Sequence, residues 1–354
     1  MSMALRSPRT LRRAAFDIGS GMSKMQVSDI DLATGRVLAT QFAEEREVLF
    51  AADWKASGQA SELSEAIRAR GLGVLGDLRA IAEELGATEM RGVATEVFRK
   101  ASNGSAYLAQ VELQLGLNAE VIAQTEEARL GWLTAVAGLE EGVDSSKVVA
   151  WDSGGGSFQV SARPDGDEVV CFNGSWGSTV ATECLMTKVQ KVAYAGGESS
   201  PNPVSMAHAQ ELIVAIKATM EPAPGWLGEL LEIGQVVGIG GETCIFRLAS
   251  EVSGLLAPRA GGLGTVSLSR EAVAAAIDSA VEKTDAELGA FMQHQMVVPK
   301  LCLTFAVMEH LEIASLKYQP ANGSCAGLLV HDFYWGGDGA AEGKAYWPTE
   351  ATRL

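Results

Sequence analysis

The amino-acid sequence predicts an α/β fold of two similar domains, each with a phosphate loop, the two loops facing each other across a cleft. Two hairpin-like stretches and their spacing carry this expectation. In KVVAWDSGGGSFQV, residues 147–160, the apolar run Val148-Val149-Ala150-Trp151 is long enough for a buried strand. It ends at Asp152, and Gly154-Gly155-Gly156-Ser157 follow. Three glycines permit a tight turn and let several backbone N–H groups converge on an anion. An acid at the strand tip beside such a loop can hold magnesium or orient a water. In RRAAFDIGSGMSKMQV, residues 12–27, the run Ala14-Ala15-Phe16 likewise meets Asp17, then Gly19, Ser20 and Gly21. Asp152 follows Asp17 by 135 residues, the spacing of a duplicated domain. Either stretch alone also reads as a plain Gly-rich hairpin with an Asp-started turn.

Composition bounds the rest. A chain of 354 residues that is 47% hydrophobic suits two buried cores. The net charge of −16 argues against a general nucleic-acid binder, which needs clustered Lys and Arg. Any phosphate site must be locally basic or metal-assisted against that background. Cys171, Cys184, Cys244, Cys302 and Cys325 form no C-x-x-C pair and read as reduced thiols of a cytosolic protein. The four histidines, among them His331, show no zinc spacing. Residues 1–13 carry four arginines without an apolar stretch and read as a basic tail; a short organelle-targeting segment is the alternative. No apolar run reaches transmembrane length.

Taken in order, residues 37–39 and 48–50 read as further strands of a meander. Residues 61–86 have helical apolar spacing with a break at Gly71 to Gly73. A strand at 92–94 leads through Thr95 into a first helical turn bearing Arg99 and Lys100, either an anion seat or a solvated surface helix. The 110–137 stretch reads helix, strand, helix, with Thr125 as N-cap and Glu126 and Glu127 in the first turn. Carboxylates there favour the helix dipole, a sufficient structural reason; the functional alternative is that one acts as a base. Residues 140–146 read as the hinge. In the second half come a strand at 168–172, a helix at 182–192 and a strand at 232–239 running into Gly240-Gly241-Glu242-Thr243. An Ala-rich helix at 271–292, a helix at 299–311, a strand at 315–318 and a helix at 323–332 follow, and residues 333–354 close the chain.

With these blocks in place, the chain resembles the exopolyphosphatase/guanosine pentaphosphate phosphohydrolase (Ppx/GppA) family in its short, two-domain form. The matching segments are AAFDIGS (14–20), VATEVFRKASNG (93–104), VIAQTEEARLGWL (121–133), DSGGGS (152–157), GSTVATE (177–183), VVGIGGET (236–243) and the run 299–329. The resemblance implies two ribonuclease-H-like domains of the actin-like superfamily, over residues 14–138 and 139–330, with 331–354 returning to the first. It implies magnesium-assisted hydrolysis of a terminal phosphoanhydride by a water that Glu126 orients. Phosphate would be held by Arg99 and by the loops carrying Ser20, Gly21, Lys24, Gly154, Gly155, Gly156 and Ser157. Gly240, Gly241 and Glu242 would form a nucleotide-side loop, and Asp17, Asp152 and Gln159 the metal side. Such phosphoryl transfer needs a positioned water, charge neutralisation and fixed N–H donors rather than covalent help. Implied partners are a small phosphoanhydride or polyphosphate and a second copy of the chain in a homodimer, in the cytoplasm, with no nucleic acid or membrane.

The chain departs from the family at Gly21-Met22, where Asn-Ser is usual, at Gln159, where a Glu is usual, and at Val180, where an Arg is expected. A Gln keeps an acceptor but loses charge, so metal affinity should fall there. The competing reading is therefore a non-catalytic nucleotide- or phosphate-binding protein of the same fold. A sugar or carboxylate kinase of the superfamily fits less well, because the EEAR segment stands where this family keeps its catalytic acid.

Overall fold

The computed structural model describes residues 10–32, 35–58, 61–139, 142–164, 168–196, 199–258 and 265–336. The chain forms two compact units: residues 1–137 with 322–354, and residues 138–321.

In the first unit, β1 (Thr10–Ile18), β2 (Met22–Asp31) and β3 (Arg36–Glu47) make an antiparallel meander. β4 (Glu89–Ala94) joins β1 in parallel, and β5 (Ala119–Val121) joins β4, giving the order β3-β2-β1-β4-β5. Helices α1 (Phe50–Ala56), α2 (Glu65–Glu84), α3 (Glu96–Lys100), α4 (Gly104–Leu115) and α5 (Gln124–Ala137) follow in sequence around these strands. The core packs Phe16, Ile18 and Met25 of the sheet with Phe50, Leu75, Leu78, Phe98 and Tyr107.

The second unit repeats the plan. β6 (Val148–Ser153), β7 (Phe158–Ala162) and β8 (Val170–Gly174) form an antiparallel meander after which α6 (Ser178–Cys184), α7 (Met206–Ala218) and α8 (Gly225–Ile233) intervene. β9 (Gln235–Gly240) pairs in parallel with β6. After α9 (Ile245–Val252), β10 (Val266–Ser269), α10 (Arg270–Ala280), α11 (Asp285–Leu288) and α12 (Val297–His310), β11 (Ser315–Pro320) pairs with β9 and β10. The order is β10-β11-β9-β6-β7-β8. Reading outward from the third meander strand, the first five strands match the first sheet in order and direction, with β10 added at the far edge. Both units are ribonuclease-H-like. The chain then re-enters the first unit with α13 (Cys325–Val330) and a turn of 3-10 helix, Asp332–Trp335.

Several expectations differ from the structure. Residues 1–9 of the expected basic tail lie outside the described residues, but Arg12 and Arg13 are inside β1, where Arg12 pairs with Asp29 and Arg13 with Glu89. Helix α2 runs unbroken through Gly71 and Gly73. Gly71 is there for close packing: a Cβ would come 2.3 Å from the Tyr107 hydroxyl and 2.5 Å from the Phe50 ring. Residues 48–50 lead into α1 rather than forming a strand. The Ala-rich helix stops at Ala280, ahead of Glu282 at φ +60°. The return to the first unit begins at Asn322, not at 331. The cause is local: the Asn322 amide donates to the carbonyls of Met25 (2.7 Å) and Glu44 (3.0 Å), stitching the chain to β2 and β3. No helix among the described residues is long and apolar enough to cross a membrane.

Candidate functional site

Helix α13 packs on α5 at backbone distance. A Cβ on Gly327 would stand 2.1 Å from the Leu130 carbonyl, and the Gly327 N–H donates to Thr134 Oγ1 at 2.8 Å. This contact fixes the N-terminal turn of α5, with Glu126 and Glu127, against the residues that follow α13. The helix starts at Gln124, one position before the expected cap Thr125.

The two neighbouring glutamates have different surroundings. Glu127 Oε2 accepts from Arg99 Nη2 at 3.0 Å, and Arg99 Nη1 donates to the Ile122 carbonyl at 2.8 Å. Two of the five guanidinium N–H donors are engaged in this way. Glu126 has no such charged fork. Its Oε1 accepts from the Tyr334 hydroxyl at 3.3 Å and lies 3.5 Å from His331 Nε2, while Arg129 Nη1 stands 3.6 Å from Oε2. Its side chain is 24% exposed, against 13% for Glu127.

Burial holds the His331 imidazole below its ordinary pKa, against the opposing pull of the Glu126 carboxylate. This burial disfavours the charged ring at its 3.5 Å approach to Glu126. Burial, reinforced by Glu126 and Glu120, pushes the Tyr334 phenol up, so it stays a protonated donor. Burial also raises Glu120, opposed by Arg91 and assisted by Glu126. His331 and Tyr334 were not expected at the site. The run HDFYW gave only an aromatic signal at the chain's closing segment.

The first Gly loop turns tightly, with the Gly19 N–H donating to the Met22 carbonyl at 2.9 Å. Its next two carbonyls, Ser20 and Gly21, accept from Ala51 and Val48. The second loop is held in the same way. The Gly154 carbonyl accepts from Ser178 and that of Gly155 from Thr179 and Val180, at the start of α6. Gly177 makes this approach possible, because a Cβ there would lie 2.3 Å from Gly155. Among the described residues, the N–H groups of Ser20, Gly21, Gly155 and Gly156 enter no such loop hydrogen bond. Such N–H groups are what an anion nest uses. Val180 packs against the apolar core of the second unit and offers no charge.

Asp17 and Asp152 hold equivalent positions, paired across their hairpins with Lys24 and Gln159. Asp17 is buried; its Oδ2 accepts from the Ser324 N–H at 2.9 Å and lies 3.8 Å from Lys24 Nζ. Gly323, at φ +59°, lets the chain pass, since a Cβ would stand 2.1 Å from that oxygen. Gln159 is 3% exposed, and its amide donates to Ser157 Oγ at 3.3 Å, so this strand end does not face solvent. Among the described residues no three His, Cys, Asp or Glu side chains cluster as a ready-made metal cage. Magnesium commonly needs only one or two carboxylates, with waters and substrate phosphates completing its shell. The acids at the two strand tips are half-buried Asp152 and buried Asp17, whose Oδ2 already accepts from Ser324.

In the third loop, the Gly240 carbonyl accepts from Ala321 N–H and the Tyr318 hydroxyl, and buried Lys300 donates to the Thr243 carbonyl at 2.6 Å. Glu242 is largely exposed, 3.9 Å from Arg247.

The model of the Ppx/GppA phosphatase family matches residues 30–190. Arg99, Glu126, Asp152, the 154–157 loop and Gln159 lie within the matched segment; Asp17, Ser20, Gly21 and Lys24 precede it and residues 240–242 follow it. Solved structures extend the likeness in fold to most of the chain. A Ppx/GppA family member from Aquifex aeolicus superposes with a TM-score of 0.66 at 20% identity, covering 91% of this chain and 97% of that one. An exopolyphosphatase from Cytophaga hutchinsonii gives 0.63 at 18%, covering 90% and 96%. A nucleoside triphosphate hydrolase from Neospora caninum gives 0.52 at 12%, covering 91% and 92%. No curated protein matches the chain.

Proposed function

We infer that the protein is a phosphoanhydride hydrolase acting on inorganic polyphosphate or guanosine pentaphosphate, with Glu126 orienting the attacking water. The observation that carries this reading is the contrast inside one helical turn. Glu127 is engaged by a guanidinium, whereas Glu126 is more exposed and held by neutral groups and a more distant Arg129. A carboxylate locked to a guanidinium cannot turn to a water, whereas one aimed by a phenol and an imidazole can be presented to it.

In this reading Glu126 accepts the proton of the water as its oxygen attacks the terminal phosphorus, and the bridging oxygen leaves with the remaining phosphate chain. Arg99 contributes the guanidinium N–H groups that Glu127 and Ile122 do not take. The Ser20-Gly21 and Gly154–Ser157 loops supply N–H donors to phosphoryl oxygens, and Lys24 a cation. Magnesium, held by Asp152 with substrate oxygens and water, would neutralise charge on the phosphates. Gln159 stands beside Asp152 as an uncharged oxygen ligand or water holder. Gly240, Gly241 and Glu242 belong to a nucleotide-side loop, and the working state is a cytosolic homodimer.

Phosphate release from polyphosphate, guanosine pentaphosphate and ATP, each with magnesium, tests the reading. Release from one of the first two above the ATP rate is the expected result. Buried, uncharged Gln159 favours a second reading, a protein that binds such ligands without turnover. Binding by calorimetry with no release from any of the three would establish it and end the hydrolase reading.

A further inference from the structure

The geometry points to Tyr334 as a positioning residue for Glu126, held in place by the turn that ends the described chain. The inference rests on the hydrolase reading, because it concerns how the water-orienting carboxylate is aimed.

The turn is built to keep the phenol still without using its hydroxyl. Arg91 Nε, from β4, donates to the Tyr334 carbonyl at 2.9 Å. Trp335 Nε1 donates to the Leu328 carbonyl at 2.7 Å, and the Arg13 guanidinium covers the Trp335 ring at 4.5 Å. The edge of the tyrosine ring meets His331 with centroids 5.4 Å apart at 74°. With backbone and ring fixed by neighbours, the hydroxyl has one hydrogen bond among the described residues, the 3.3 Å bond to Glu126 Oε1.

His331 completes the arrangement. It is 4% exposed, and among the described residues neither ring nitrogen has a hydrogen-bond partner, an uncommon state for a buried imidazole. Its Nε2 lies 3.5 Å from the oxygen that Tyr334 contacts. The two side chains therefore converge on Oε1 and leave Oε2, with Arg129 at 3.6 Å, as the oxygen available to a water. A glutamate has three rotatable bonds, and aiming it at one water requires that most of its rotamers be closed. The phenol does this without adding a charge beside the carboxylate.

Tyr334→Phe removes the hydroxyl and keeps the ring, so the turn should survive with an unchanged melting temperature. The expected kinetic result is a fall in kcat of about tenfold to a hundredfold, the loss of one hydrogen bond to a charged group. KM should stay within about twofold, because the hydroxyl touches no substrate. A contact readout is independent of turnover: with ring-carbon-labelled tyrosine, the Tyr334 signal, assigned by its absence in Tyr334→Phe, should move in Glu126→Gln. An unchanged kcat, or a raised KM at constant kcat, would overturn the positioning role. A wild-type protein that releases no phosphate, with the Tyr334 signal still moving in Glu126→Gln, would end the hydrolase reading while the clamp on Glu126 stands. A silent signal would end the clamp.

Discussion

The hairpins β1–β2 and β6–β7 place an aspartate at the same strand tip, beside a glycine loop anchored by its carbonyls. In the first, Asp17 faces Lys24 and accepts from the Ser324 N–H, so its carboxylate joins strand to returning chain. In the second, Asp152 faces Gln159, which bonds Ser157 and brings no charge. The duplicated architecture therefore supports two different uses of one residue. Asp17 is tied to the returning chain, and Asp152 is half-buried beside an uncharged amide. A similar division runs through α5, where Glu127 is paired with Arg99 and Glu126 is not.

The largest effect should come from breaking the contrast in α5. Glu126→Gln is expected to lower kcat by about two to four orders of magnitude, the range for loss of a positioned base. Glu127→Gln loosens Arg99 and should act mainly on KM. If the Glu127 variant loses kcat and the Glu126 variant does not, the two roles are exchanged.

The contrast between hairpins predicts effects on different quantities. Asp17→Asn weakens a charge-assisted hydrogen bond and removes the charge facing Lys24, so folding stability should fall by about 1–3 kcal/mol in urea titration. Asp152→Asn should leave stability nearly unchanged and raise the magnesium concentration for half-maximal rate. Equal stability losses in both variants would erase the distinction. Gln159→Glu sharpens it from the other side. A second carboxylate beside Asp152 should raise turnover several-fold and lower the magnesium requirement. No gain in a folded variant would make the departure from the family neutral.

Much of this was legible in the sequence, because both hairpins announce themselves within a dozen residues through an apolar run, an acid and glycines. Ser157 and Gln159 were placed on one strand face by the period of two, and they share a hydrogen bond. What was illegible depends on distant partners. Gly71 looks like a helix breaker until Phe50 and Tyr107 are seen against it. The Tyr334–Glu126 bond spans 208 residues, and no local pattern carries it. The Asp17–Ser324 bond was hidden for the same reason, since it spans 307 residues.

The smallest effect concerns His331 and the stability of the first unit. Burial lowers its folded-state pKa below the ordinary 6.5, with Arg129 acting in the same direction and Glu126 and Asp332 in the other. Above 6.5 the imidazole is neutral in both states and adds no slope. As pH falls through 6.5 the unfolded chain binds the proton first, so stability is lost until the folded value is reached, and the loss is constant below that. Asp332 and Glu120 have raised values and run the opposite way, gaining relative stability as acid protonates them in the folded state. The wild-type curve alone therefore mixes signs, and the difference from His331→Gln isolates the imidazole. Urea midpoints between about pH 5 and 8 should decline less steeply with acid in the variant. Parallel curves would mean that His331 keeps its ordinary affinity for a proton when folded. It would then be charged against Glu126 at mildly acidic pH, and Glu126 would be ion-paired much as Glu127 is, so the difference between the two glutamates would rest on exposure alone.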